Sequence, residues 1–205
     1  MGRTSSTSRS DIGPQFPPQT HRQREVDLLL LTFSTVVARR SATYVSTPLT
    51  SGQRAFEWHL QNGATAAHLS PDFRERVIEP NRREAAAFAD ALRAQITGVV
   101  IDPAALPDVD GWDQADYRFF WGRVIEEYVR QVVFRPAWQY SSGCTYEYFV
   151  ARRAGVEILD ENLDGLPESS AIRLIDAAIV ETRQRGSDAT FLVQVRDALK
   201  VGHPQ

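Results

Sequence analysis

Apolar residues recur at helical spacing over residues 26–40, where Val26, Leu29, Leu30, Phe33, Val36 and Val37 share a face. Asp27 in the first turn and Arg39 and Arg40 in the last suit a helix dipole. The period then changes. Residues 43–47, Thr-Tyr-Val-Ser-Thr, form a β-branched and aromatic run that Pro48 and then Thr50-Ser51-Gly52 close, which predicts a strand entering a small-residue loop. Helical patterns follow at 53–60 and 81–95, separated by a polar stretch at 61–72 that reads as a loop, with Pro80 just ahead of the second helix. Residues 98–103 read as a buried strand ended by Pro103, and 104–113 as an acidic loop. An amphipathic helix at 116–130 leads into a strand at 131–135. A turn at 140–144 leads into a helix at 145–153, and a weaker strand follows at 155–159. Two helices, 169–185 and 189–201, finish the chain.

Strands that alternate with helices predict an α/β fold, a small parallel sheet covered on both faces. In such sheets ligands bind outside the carboxyl ends of the strands, near the point where strand order reverses. The unusual residues fall at those ends: 44–52 after the first strand, Asp102-Pro103 after the second, and 138–147 after the third.

Composition narrows the picture. The chain has 205 residues, enough for one domain, with 42% hydrophobic and 10% aromatic residues to build a core. Residues 1–24, rich in Ser, Thr, Pro, Gln and Arg, are expected to be a disordered tail, and 25–205 a single domain. The same letters resemble an organellar transit peptide in composition, but a tail in a cytoplasmic protein is the simpler expectation. A net charge of −3 argues against a nucleic-acid binder. No apolar run reaches the roughly 18 residues of a membrane span, so no membrane partner is expected. The lone Cys144 excludes an intrachain disulfide framework and any multi-cysteine metal site.

Residues 138–148 hold the densest chemistry. Ser141, Ser142 and Gly143 between a strand and a helix offer hydroxyls and backbone N–H groups to an anion, and Glu147, expected within the first turn, can project into the same crevice. A glutamate near a helix start is equally well explained as a solvated, dipole-friendly residue. The 46–54 loop, with Ser46, Thr47, Ser51, Gly52 and Arg54, suits a phosphate or sugar but lacks the glycine spacing and lysine of a P-loop; a plain capped turn explains it too. Trp112, Trp121 and Trp138 read as core or pocket walls, with Trp138 also able to stack on a base. His59 and His68 read as surface residues, Cys144 as a poor nucleophile, and Asp108, Asp110 and Asp113 as a solvated acidic cluster.

The blocks Tyr-Val-Ser-Thr-Pro-Leu-Thr-Ser-Gly at 44–52, Val-Ile-Asp-Pro at 100–103 and Ser-Ser-Gly-Cys-Thr-Tyr-Glu at 141–147 together resemble the nucleoside 2-deoxyribosyltransferase-like superfamily. That group includes deoxyribosyltransferases and nucleoside-monophosphate N-glycosidases. The resemblance covers about residues 43–160 and leaves out the tail, the lead-in helix and the C-terminal helices. It implies a flavodoxin-like sheet and cleavage of an N-glycosidic bond, with Glu147 as nucleophile, Tyr44 as its positioner at the end of the first strand, and Asp116 assisting the base or a sugar hydroxyl. Where enzymes acting on free nucleosides carry an aspartate six residues before the nucleophile, this chain has Ser141, as the monophosphate N-glycosidases do. Ser51, Gly52, Arg54 and Ser141 are thereby candidate phosphate ligands, and Ser46, Thr47, Asp102, Trp138 and Gly143 complete the expected substrate-binding set. The implied partner is a small nucleoside or nucleotide. No cofactor and no metal is implied, and a homodimer or larger homo-oligomer is expected. Two other functions fit the same crevice: a non-catalytic nucleotide-binding module, and an NAD-glycohydrolase-like enzyme.

Overall fold

The computed structural model describes residues 22–63 and 70–201. Most of the expected tail, the 64–69 part of the expected loop and His68 lie outside them. Helix α1 (Gln23–Ser34) begins inside the expected tail and ends earlier than its apolar period suggests. The hydroxyls of Thr32, Ser34 and Thr35 each donate to a carbonyl three or four residues back, which competes with helix propagation, and Arg40 takes a left-handed φ of 54° before the first strand.

Four parallel strands, β1 (Ala42–Ser46), β2 (Val100–Ile101), β3 (Val129–Phe134) and β4 (Glu157–Leu159), lie in the order β2-β1-β3-β4. The fold is therefore α/β, with the order reversing between β1 and β3, as in the flavodoxin-like arrangement. Tyr44 sits beside Val132, Val45 beside Val133 and Ser46 beside Phe134. Because side chains alternate, Ala42, Tyr44, Val132 and Phe134 face one way and Val45, Val133 and Leu159 the other. The first set packs on α5 (Gln114–Tyr128) and α6 (Ser142–Arg153), with α7 (Glu168–Gln184) and α8 (Thr190–Val201) outside them. The second packs on Ala89 and Leu92 of α4 (Glu79–Arg93).

Three boundaries depart from the sequence pattern for identifiable reasons. The strand expected at 98–103 shrinks to two residues, since β2 is an edge strand and Asp102 accepts from the Ala104 N–H at 3.0 Å to start a 3-10 turn, Pro103–Ala105. The helix before Pro80 starts early: α3 (Pro71–Phe73) runs through a π-helical stretch (Arg74–Ile78) into α4. Pro80 has no N–H for the preceding turn, and a widened turn ahead of it lets the helix continue. Short α2 (Gln53–Asn62) packs Ala55 and Trp58 on Phe73 and Val77 of that segment. Helix α6 begins three residues before the expected start because Ser141 caps it, its Oγ accepting from the Cys144 N–H.

Helices α5 and α6 approach closely at Gly122, where a Cβ would lie 2.9 Å from Tyr146 Oη. Both residues are buried. Gly122→Ala is expected to destabilise the protein by about 1–3 kcal/mol despite alanine's higher helix propensity. Tyr146→Phe, which removes the clashing oxygen, should relieve most of that loss. Urea unfolding of the two single variants and the double variant gives the coupling directly.

Candidate functional site

Alternation along β1 puts Tyr44 and Ser46 on the face that α6 covers. Both hydroxyls donate to the same carboxylate: Tyr44 Oη to Glu147 Oε1 at 2.7 Å, and Ser46 Oγ to Glu147 Oε2 at 2.6 Å. Glu147 stands in the second turn of α6 rather than the expected first, because the helix starts at Ser142. The main chain next to Ser46 is pinned, as its carbonyl accepts from the Arg135 N–H at 3.1 Å and extends the β1–β3 ladder by one bond. A glutamate, a tyrosine and a serine thus converge at the carboxyl edge of the two strands between which strand order reverses.

Burial dominates the electrostatics here. It lifts the Glu147 carboxyl from its ordinary 4.5 to about 7, against the lowering effect of the Ser46 and Tyr44 hydrogen bonds. Its side chain still keeps a partial opening to solvent. Tyr44 is fully buried, edge-on to Trp121 with ring centroids 5.9 Å apart. Burial first, and then the Glu147 charge, hold its phenol well above 10, so it remains a donor. Burial also pushes the Cys144 thiol up to about 12, which removes it as a nucleophile at neutral pH. Asp102 is buried, its carboxyl raised by that burial, and lies near enough to Tyr44 to bear on the phenol.

The other expected site residues separate into two groups. Ser51 and Ser141 are brought together, with hydroxyl oxygens 2.8 Å apart, joining the β1–α2 loop to the start of α6. Gly52 ends that loop with φ 96°, where a Cβ would come 2.7 Å from Pro48 Cβ, so the turn needs glycine. Thr47 is half-buried in the same loop, and Gly143 lies in the first turn of α6. Arg54, by contrast, is turned onto α4. Its guanidinium pairs with Glu84 Oε1 at 2.7 Å and donates to Asn81 Oδ1. Arg135 reaches the other Glu84 oxygen at 2.5 Å, and Asn81 donates to the Leu49 carbonyl at 2.8 Å. Glu84, Arg135 and Asn81 carried no signal in the sequence, since a charged helix face reads the same whether solvated or paired.

Trp138 is buried, its ring stacked on Tyr148 at 5.1 Å and 11° with Phe134 at 4.9 Å, in keeping with its reading as a core wall and leaving no open face for a base. Asp116 departs from its expected place. Asp116 belongs to a capping box: its carboxylate accepts from the Asp113 N–H at 3.0 Å while Asp113 accepts from the Ala115 and Asp116 N–H groups, and Arg22 Nε lies 3.5 Å from it. Its carboxylate serves the start of α5. Within the acidic loop, Asp113 is that cap and Asp108 lies 3.7 Å from Arg74. No helix among the described residues is long and apolar enough to cross a membrane.

Glu147 holds a proton in the folded protein that the unfolded chain loses near pH 4.5. Its contribution to stability is therefore complete below pH 4.5 and is lost as pH rises through about 7, a difference of roughly 3 kcal/mol. Glu147→Gln removes the titration. It should be more stable than the wild type at pH 8 by about 1–3 kcal/mol, with the gap closing towards pH 4.5, as denaturant unfolding at the two pH values would report.

No family model, no curated protein and no solved structure matches this chain.

Proposed function

We propose that the protein cleaves the N-glycosidic bond of a nucleoside or nucleoside 5′-monophosphate, or transfers its sugar, with Glu147 as nucleophile. The observation that carries this is the Glu147 carboxylate held by the Tyr44 and Ser46 hydroxyls at the strand-order reversal. Such an arrangement suits a reaction through an oxocarbenium-like centre. A poorly solvated carboxylate stabilises developing positive charge more strongly than one in water, and it is fixed before the charge appears.

In this mechanism one Glu147 oxygen bonds to C1′ as the C1′–N bond breaks. The bonding pair leaves with the base, whose nitrogen takes a proton from water or from a crevice acid. Asp102, a buried carboxyl whose charge bears on Tyr44 and which also caps the turn after β2, is the crevice acid assigned to that second role. The other Glu147 oxygen keeps its hydroxyl donor throughout. Water then attacks C1′ of the glycosyl ester, giving its proton to the crevice acid deprotonated in the first step, as the C1′–O bond to Glu147 breaks and restores the carboxylate; in a transferase the ring nitrogen of a second base attacks and gives up its proton in the same way.

Incubation with a panel of nucleosides, nucleoside 5′-monophosphates and NAD, followed by chromatography for free base, tests the proposal. At least one member should release base, and Glu147→Gln should lose roughly 10³-fold or more of that rate. Release from no member, or near-normal turnover by the variant, would overturn it. Tight nucleotide binding without release would mark a sensor, and release from NAD alone a glycohydrolase of that class.

Attack requires the ionised carboxylate, so kcat/KM should climb with pH through about 7. Tyr44→Phe removes a hydrogen bond that favours ionisation, so its ascending limb should move to higher pH. A profile flat from pH 5.5 to 8.5 would exclude Glu147 titration from the rate.

A further inference from the structure

Helix α1 is apolar on two sides. Val26 and Leu30 are buried on the side that faces α5, where Phe33 lies edge-on to Tyr128 at 5.3 Å and the Tyr128 hydroxyl donates to the Leu30 carbonyl at 3.2 Å. On the opposite side Leu28 and Leu31 each expose 64% of their surface, and Leu29 and Val36 extend the apolar area along one flank. A helix whose outward side is set with leucines is one that another body covers. The hydroxyls around this face agree. Thr32, Ser34 and Thr35 donate to the carbonyls of Leu28, Leu31 and Thr32, so they need no water as acceptor and lose little on dehydration. The helix is also firmly seated, with Arg22 3.5 Å from Asp116, the Trp112 indole N–H donating to Glu25 at 3.4 Å, and Arg39 3.4 Å from Glu127.

We infer that this face pairs with the same face of a second copy of the chain, the two α1 helices lying antiparallel about a twofold axis. The outward ridge is Arg24, Leu28, Leu31 and Thr35, whose spacing of four, three and four residues is that of a coiled-coil seam. Run antiparallel, Leu28 of one copy meets Leu31 of the other, and Arg24 comes level with Thr35 of the second copy. There its guanidinium faces the carbonyl end of the opposite helix, the negative end of that helix's dipole. Arg39, just beyond, is already paired with Glu127. No acid of one copy stands level with an acid of the other, since Asp27 falls level with Thr32 and Glu25 with Ser34. A parallel pair would instead set Arg24 against Arg24 in the seam. The charges therefore fit a copy of this chain in one orientation. A helix of 12 residues gives a contact about 18 Å long, and the pair buries on the order of 1,000 Å² in total, which suits a reversible dimer and not an obligate one. Helix α1 lies outside the motif blocks, so this contact does not depend on the glycosidic reading.

Sedimentation velocity of the full-length protein, from about 1 to about 200 µM, tests this. The wild type should show a monomer–dimer equilibrium with a dissociation constant of roughly 1–100 µM. Leu28→Lys and Leu31→Glu should each weaken it about tenfold or more while melting within about 2 °C of wild type, since both side chains are largely exposed in the monomer. Mixed in equal amounts, the two variants should associate again. In the antiparallel register the introduced charges face each other on one side of the axis and the native leucines meet on the other, whereas a parallel register brings neither pair together. A wild type that stays monomeric at about 200 µM overturns the inference, as does a dimer that both variants leave intact. A mixture that associates no better than each variant alone overturns the antiparallel pairing. Wild-type monomers that float with phosphatidylserine vesicles, and stop doing so in Leu31→Glu, would give the face to a lipid surface and overturn the second copy as its occupant.

Discussion

A carboxylate largely withdrawn from water and answered by hydroxyl donors is the constraint around which this end of the molecule is arranged. Two O–H groups lower the Glu147 pKa, yet burial outweighs them and leaves it near 7. An adjacent arginine would settle the charge and make it chemically inert. Hydroxyls satisfy its lone pairs while leaving the charge reactive, and a structure keeps a group in that condition only if the elements on either side are rigid. Here they are. Strand β1 is interior to the sheet, and α6 is fixed by the Ser141 cap and by Thr145 Oγ1, which donates to the Ser141 carbonyl at 2.9 Å.

Across the sheet the charges follow the opposite logic. Arg54 and Arg135 share the oxygens of Glu84, whose carboxyl is held below its ordinary value chiefly by the Arg54 hydrogen bond. Asn81 ties that cluster to the Leu49 carbonyl in the β1–α2 loop. These ion pairs are partly exposed, and each is worth little alone. Together they fix the loop's approach to Gly52 and so the place of Ser51 opposite Ser141. Arg54 is tied to the β1–α2 loop through Asn81, whose amide donates to the Leu49 carbonyl.

Much of this was legible in the letters. The change from helical spacing to a β-branched run located β1 within one residue, and alternation from Tyr44 to Ser46 dictates that both meet whatever covers that face. Composition after the strands located the carboxyl-edge loops. What the sequence hid were long-range choices. Asp116 looks like a site acid and is a cap, because a carboxylate three residues after Asp113 serves either role and only the backbone decides. Trp138 reads as a wall, but that its partner is Tyr148, ten residues on and parallel to it, is not visible in the letters. The helical stretch ahead of Pro80, between the expected loop at 61–72 and the expected helix at 81–95, carried no signal because a π-helical turn has no period of its own to detect.

The C-terminal helices, which the motif blocks leave unexplained, belong to the same design. Tyr140 Oη donates to Glu181 Oε2 of α7 at 2.5 Å, Arg152 Nε to Glu168 Oε2 at 2.6 Å, and Tyr148 Oη to the Leu166 carbonyl at 3.2 Å. Each bond joins α6 or its approach to α7 or the segment just before it. Helix α6 is therefore held from behind while its inner side presents Glu147 to β1. A helix loaded on all sides has little freedom to turn its glutamate away. Helix α8 packs on α6 as well, so the two C-terminal helices hold it together.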